Sequence, residues 1–212
     1  MDGDLKAKPT LIVVGNGMVG HRFVRAAAER GLTRTHRVVI FAEEKRLAYD
    51  RVNLSKWFEA RDDKTLSLVS SNEYAALGVQ VVTGQAVTSI DRAARLLQTS
   101  TGRVLGYDKL VLATGSYPFV PAIAGNDLPG CFVYRTIDDL SAIAAAAISG
   151  AKRGVVIGGG LLGLEAANAL LSLGLETHVV ELATRLMPLQ IDAHGGAVLR
   201  ARIEALGVRV HE

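Results

Sequence analysis

Leu11-Ile12-Val13-Val14 runs straight into Gly15-Asn16-Gly17-Met18-Val19-Gly20, and the reading of this stretch decides the fold. Four consecutive apolar residues stopped by glycine predict a strand buried on both faces. Met18 to Arg30 carries helix formers and closes at Gly31, and Val38 to Phe41 is a second apolar run. Strand, glycine turn, helix, strand is a βαβ unit, whose crossover makes its two strands parallel.

The glycines stand where a GxGxxG fingerprint has to stand, after a strand and opening a helix. Gly15 permits the tight turn, Gly17 lets backbone approach a pyrophosphate, and Gly20 lets the helix pack on the strand. Met18 opens a helix whose free N–H groups attract that anion. An acid beyond the second strand is then expected on ribose hydroxyls. Glu43 is placed for it, with Glu44 as its rival; the plainer reading is a solvated cluster, Glu43-Glu44-Lys45-Arg46.

The same order returns later in the chain. Val155 to Ile157 is a strand, Gly158-Gly159-Gly160-Leu161-Leu162-Gly163 a glycine turn, Leu161 to Leu173 a helix stopped by Gly174, and Thr177 to Val180 a strand ending at Glu181. One fingerprint alone is weak; two in context, each with its acid, predict two Rossmann-like dinucleotide-binding domains in an α/β chain. Glu165 falls in the early turns of the second helix, where the helix dipole favours a carboxylate with or without a function. Arg185, four residues past Glu181, complicates the expected preference for NADH, because it could pair with a 2′-phosphate.

Between the copies, Val79 to Thr83, Ala86 to Ile90, Arg95 to Gln98 and Arg103 to Tyr107 predict a small antiparallel excursion, with Ser100 to Gly102 as a hairpin turn. Leu110 to Ala113 returns as a buried strand ending in Thr114 and Gly115. Pro118, Pro121, Gly125, Pro129 and Gly130 then punctuate a connector, so the domains are expected at 1–118 and 119–212. Thr136 with Asp139 has the spacing of a capping box and starts an alanine-rich helix; Ala193 to Leu206 is a further helix and Val208 to Val210 a last strand.

Composition narrows the function classes. The chain has 212 residues, 49% hydrophobic and 21% charged, and a formal charge of +3, too small and scattered for a nucleic-acid or anionic-membrane partner. Its single cysteine, Cys131, makes no internal disulfide, CxxC pair or thiolate cage, and the five histidines show no HxH or HExxH spacing, so no metal site is expected. The polar start MDGDLKAKPT leads into an apolar run too short for a signal core, and no tract approaches a membrane span; a cytoplasmic protein is expected.

On these motifs the chain resembles the two-dinucleotide flavoproteins, the FAD-dependent pyridine nucleotide oxidoreductases. Leu112-Ala113-Thr114-Gly115 resembles their ATG element, Tyr49-Asp50-Arg51-Val52-Asn53-Leu54-Ser55-Lys56 the flavin-side loop of ferredoxin-reductase-like members, and Tyr134-Arg135-Thr136 a segment whose arginine reaches FAD. Within the superfamily, GNGMVGHRF, AYDRVNLS, YDKLVLATGSYPFVP, VYRTIDDL and GGGLLGLEAANAL are similar to the N-terminal module of assimilatory NAD(P)H nitrite reductase large subunits.

The resemblance implies FAD on Gly15, Gly17, Met18, Gly20, Glu43, Arg51, Lys56, Val87, Ala113, Thr114, Gly115 and Arg135. It implies NAD(P)H, with NADH preferred, on Gly158, Gly160, Leu161, Leu162, Gly163, Glu165 and Glu181. Lys56 and Glu165 are the expected catalytic pair, flanking hydride transfer from NADH to flavin N5, with onward single-electron transfer toward nitrite reduction to ammonium. Leu54-Ser55-Lys56 stands where disulfide-reducing members carry a redox cysteine, so thiol chemistry is not expected. Sirohaem and an iron–sulfur cluster would belong to downstream domains or a small subunit; a homodimer stays open. The resemblance places a second FAD-binding stretch beyond a complete nicotinamide domain, so both domains read as truncated and FAD retention as weak. Ferredoxin or rubredoxin reduction, NADH oxidation, and a nucleotide-binding fragment without turnover are the alternatives.

Overall fold

The computed structural model describes residues 8–212; residues 1–7 of the polar start, read above as lacking a signal core, lie outside the described residues. In chain order the elements are β1 (Thr10–Val14), α1 (Met18–Glu29), α2 (Leu32–Thr35), β2 (Arg37–Phe41), α3 (Trp57–Ala60), α4 (Ser71–Ala76) and β3 (Val79–Val82). They continue with β4 (Val87–Asp91), β5 (Leu96–Thr99), β6 (Val104–Gly106), β7 (Lys109–Leu112), α5 (Ile137–Ile148) and β8 (Arg153–Ile157). The last are α6 (Leu161–Ser172), β9 (Glu176–Val180), α7 (Ala193–Ala205) and β10 (Val208–His211). Contacts divide the chain into two compact units, Met1–Val52 with Leu66–Tyr117, and Asn53–Thr65 with Pro118–Glu212. Residues 53–65 thus count with the second unit, although the sequence reading ran them with the first.

In the first unit a parallel sheet has the order β3-β2-β1-β7. Alternate residues of β1 and β2 face opposite ways. Leu11, Val13, Val38 and Ile40 pack on Val24 of α1 and Tyr74 of α4, while Ile12, Val14, Val39 and Phe41 pack on Leu97 of β5. With helices on one face and the antiparallel β4-β5-β6 sheet on the other, both faces are dry, which is why these strands read as unbroken apolar runs.

Residues 79–83 read as part of the antiparallel excursion, but β3 pairs parallel with β2, in register from Val38↔Val79 to Phe41↔Val82. The reason is α4, which supplies the crossover a parallel strand requires. It spans only six residues, too few for a periodic apolar stripe, yet Ser70 and Glu73 close it with a reciprocal capping box.

The second unit repeats the frame as a parallel sheet β10-β9-β8. Ala167 of α6 joins Val179, Val208, Val210 and Leu186 in its core. Its outer face carries Val155 and Ile157, each 60% exposed. Among the described residues this sheet has no counterpart of β7 or of the β4-β5-β6 layer.

Candidate functional site

Among the helices of more than four residues, the N-termini separate into two kinds. Ser70 caps α4, Thr136 caps α5 and Asp192 caps α7, each accepting a hydrogen bond from a backbone N–H of the first turn. No side chain caps α1 or α6, whose N-caps are Gly17 and Gly160, and neither has an acid in its first turn. Their leading N–H groups are thus left to an external acceptor, and the helix dipole favours an anion there.

The two turns are built alike. Gly15 N donates to Phe41 O and Gly158 N to Val180 O, both at 2.8 Å, tying each turn to the strand beside it. A Cβ on Gly20 would land on the Gly15 carbonyl oxygen, and one on Gly163 on the Gly158 carbonyl oxygen, so only glycine lets helix and turn approach this closely. A Cβ on Gly17 or Gly160 would meet nothing within 4 Å, which leaves open space over both turns. Uncapped donors beneath open space fit the pyrophosphate of a dinucleotide. Met18, Leu161 and Leu162 open the helices as exposed apolar side chains.

The acids differ between the turns. Glu181 directly follows β9; its carboxylate accepts from Gly159 N at 2.7 Å and Ala183 N at 2.9 Å, which holds it at the second glycine turn. By strand register the first unit has Ala42 at that position, because Phe41 and Val180 play the same part. Glu43 stands one residue further on, exposed, accepting from Tyr117 Oη at 2.8 Å. Its rival Glu44 is taken up by Arg51, with which it forms an ion pair, and by Tyr49 Oη at 2.7 Å. The Arg51 guanidinium also lies 5.1 Å from the centre of the Tyr49 ring. Arg185 donates to the carbonyls of Pro188, at 3.0 Å, and Ile191, at 3.2 Å, so its guanidinium is engaged by its own loop.

Ala113, at the end of β7, donates to Val14 O at 2.7 Å, and its carbonyl oxygen sits where a Cβ of Gly15 would be. The turn is thereby closed from below by the strand that leads to exposed Thr114 and Gly115. Val87 begins β4 and is half-buried. In the second unit the turn Leu54–Lys56 packs on α6, the helix that carries Glu165, and Lys56 is exposed. Arg135 precedes α5, its N–H donating to Asp139 at 3.2 Å.

Two features carry no motif signal and escape the sequence reading. Tyr134 has a buried hydroxyl without a hydrogen-bond partner; burial, with the Glu165 carboxylate nearby, pushes its pKa up to about 12. The second is a buried chain of Asn16, Tyr74 and His21 under the first turn. Among the described residues no group of three or more His, Cys, Asp or Glu could hold a metal ion, and no helix is long and apolar enough to cross a membrane.

The family model of pyridine nucleotide-disulphide oxidoreductases matches residues 9–212. The chain belongs to that family. Membership implies binding of FAD and NAD(P)H. Among relatives, it is 55% identical over 204 residues to the nitrite reductase [NAD(P)H] large subunit of Klebsiella oxytoca, covering 96% of this chain and 21% of that protein. It is 49% identical over 205 residues to the nitrite reductase (NADH) large subunit of Escherichia coli K12, covering 97% and 24%. The chain therefore spans less than a quarter of the length of these two relatives. A ferredoxin reductase from Rhodopseudomonas palustris superposes with a TM-score of 0.84 at 29% identity, over 96% of this chain and 50% of that one.

Proposed function

We propose that this oxidoreductase is the electron-entry module of a nitrite reductase large subunit, taking FAD on the first unit and NADH on the second. The duplicated, uncapped glycine turn is the observation that carries the reading. The 55% identity to such a subunit supports the assignment to nitrite reduction.

When bound, FAD supplies the hydride-accepting ring and the one-electron chemistry. The protein's part is to bind, orient and balance charge. The α1 terminus with Gly17 and Met18 would receive the FAD pyrophosphate, Glu43 the adenosine ribose, and Thr114, Gly115, Val87 and Arg51 the remainder of the cofactor. The α6 terminus with Gly160, Leu161 and Leu162 receives the NADH pyrophosphate. Glu181 accepts ribose hydroxyls and repels a 2′-phosphate, so NADH is preferred. Lys56 would supply the positive charge that balances hydride transfer, and Glu165 would orient the nicotinamide side.

Cys131 is the chain's one cysteine, whereas iron–sulfur ligation typically uses about four thiolates. The metal centre that completes six-electron nitrite reduction, sirohaem with an iron–sulfur cluster, accordingly belongs to further domains or a small subunit. A second reading, reduction of a ferredoxin, is favoured by the structural likeness to a ferredoxin reductase.

The test is anaerobic stopped-flow of the FAD-loaded chain with NADH, followed by acceptor assays. Flavin reduction, turnover with ferricyanide and no ammonium from nitrite are expected, with Lys56→Ala slowing reduction more than it weakens NADH binding. Absent flavin reduction despite bound FAD sinks the catalytic reading. Efficient reduction of an added ferredoxin selects the second reading.

A further inference from the structure

Beneath the first glycine turn, side chains from the turn, α1 and α4 join in one buried chain of hydrogen bonds. Tyr74 Oη donates to Asn16 Oδ1 at 2.6 Å and lies 3.0 Å from His21 Nδ1. Asn16 and His21 are each 8% exposed and Tyr74 1%. A phenol has a single proton. With that proton given to Asn16, the bond between Tyr74 and His21 has to be donated by His21 Nδ1–H. Protonation then falls on Nε2, which adds a charge and breaks no bond of the chain. Asn16 Nδ2 is buried and has no partner, so Tyr74 alone orients the amide.

Asn16 sits between Gly15, at φ 106°, and Gly17, the N-cap of α1. The turn's most permissive backbone is thereby tethered to α4. We infer that Asn16, Tyr74 and His21 are positioning residues that hold this turn in the shape receiving the FAD pyrophosphate, and that a proton taken up by His21 tightens the binding. This rests on the reading that the first turn takes FAD.

His21 lies in the first turn of α1, so an anion at that terminus attracts an imidazolium, and by reciprocity proton and anion each bind better when the other is present. The charged and titratable groups around the ring are Arg22 and Arg25 on α1, and Glu73 and Tyr74 on α4. Burial first, then Arg25, depresses the His21 pKa, and Glu73 opposes them.

The experiment is calorimetric titration of the whole chain with FAD near pH 6 and pH 7.5, in buffers of different ionisation enthalpy, with nitrogen NMR of the His21 ring before FAD is added. Expected are the Nδ1–H tautomer, proton uptake on binding, and affinity about fivefold tighter near pH 6. His21→Gln should abolish both the uptake and the pH dependence. Tyr74→Phe, which keeps the ring, should weaken FAD about fivefold at pH 7.5. An Nε2–H tautomer, FAD binding indifferent to pH and to Tyr74→Phe, or proton uptake that survives in His21→Gln overturns the relay while leaving the cofactor reading intact. No FAD uptake at any pH overturns the cofactor reading and the relay with it.

Discussion

Glu181 holds two backbone N–H groups of the second unit, one of them from the glycine turn itself. A carboxylate so placed serves the turn's shape as well as a ribose. Glu181→Ala should weaken NADH binding about tenfold and reduce discrimination against NADPH. Arg185→Ala should shift the NADH to NADPH ratio by less than about twofold, because its guanidinium already serves the Pro188 and Ile191 carbonyls. Fluorescence titration of both nucleotides checks the pair; tighter binding of NADPH than NADH by the unaltered chain would refute the assignment. His21 makes a second residue-scale prediction. Burial, then Arg25, holds its pKa below the usual 6.5, so the neutral ring is favoured by folding. The stability it contributes is present above pH 6.5 and is lost as pH falls through the depressed folded value. Between pH 7 and 5 the chain's melting temperature should therefore drop more steeply than that of His21→Gln, and parallel curves would count against it.

At the scale of the element, the uncapped helix ends are where stability and binding oppose each other. Gly160 has φ −79° and ψ −178°, extended backbone that any residue adopts, with open space over its Cα. Gly160→Asp should cap α6, add a few tenths of a kcal/mol to the stability of the second unit and suppress NADH binding, since its carboxylate occupies the anion's place. Urea unfolding and nucleotide titration read the two effects; a variant that is stabilised and still binds NADH as before would contradict the role given to that terminus. Gly163→Ala is the contrasting case. Its methyl would meet the Gly158 carbonyl oxygen, which is backbone and cannot move aside, so loss of cooperative unfolding of the second unit is expected in calorimetry.

For the molecule as a whole, the two copies of the βαβ frame differ in what covers them. The central strands β1 and β2 of the first sheet are dry on both faces, whereas the second sheet presents Val155, Ile157 and Val180 to solvent around Arg153, His178 and His211. An apolar patch on a sheet face attracts dyes and other chains. Val155→Thr with Ile157→Thr should cut binding of an apolar fluorescent dye severalfold and reduce self-association in light scattering, with the far-ultraviolet circular dichroism unchanged. Dye binding that is unaffected would locate the accessible apolar surface elsewhere.

What the amino-acid sequence by itself determined is local. β1 and β2 are legible because strands buried on both faces write continuous apolar runs, and the two glycine turns because a helix that packs this closely on its strand tolerates no Cβ; β7 reads as a buried strand too, yet its Leu112 is 60% exposed. The Thr136–Asp139 capping box is legible because its partners are three residues apart. Tertiary structure alone decided the rest. The run 79–82 is equally a hairpin strand or a parallel one until α4 turns the chain back beside β2. Glu43 and Glu44 are neighbours of the same type, and only the return of Tyr49 and Arg51 engages one, while Tyr117 meets the other. Asn16, His21 and Tyr74 leave no mark in the sequence, because Tyr74 reaches the turn from 58 residues beyond Asn16. Periodicity and glycine spacing report backbone geometry within one element. Which polar side chains meet depends on where distant segments pack, and that is set by burial of the whole core.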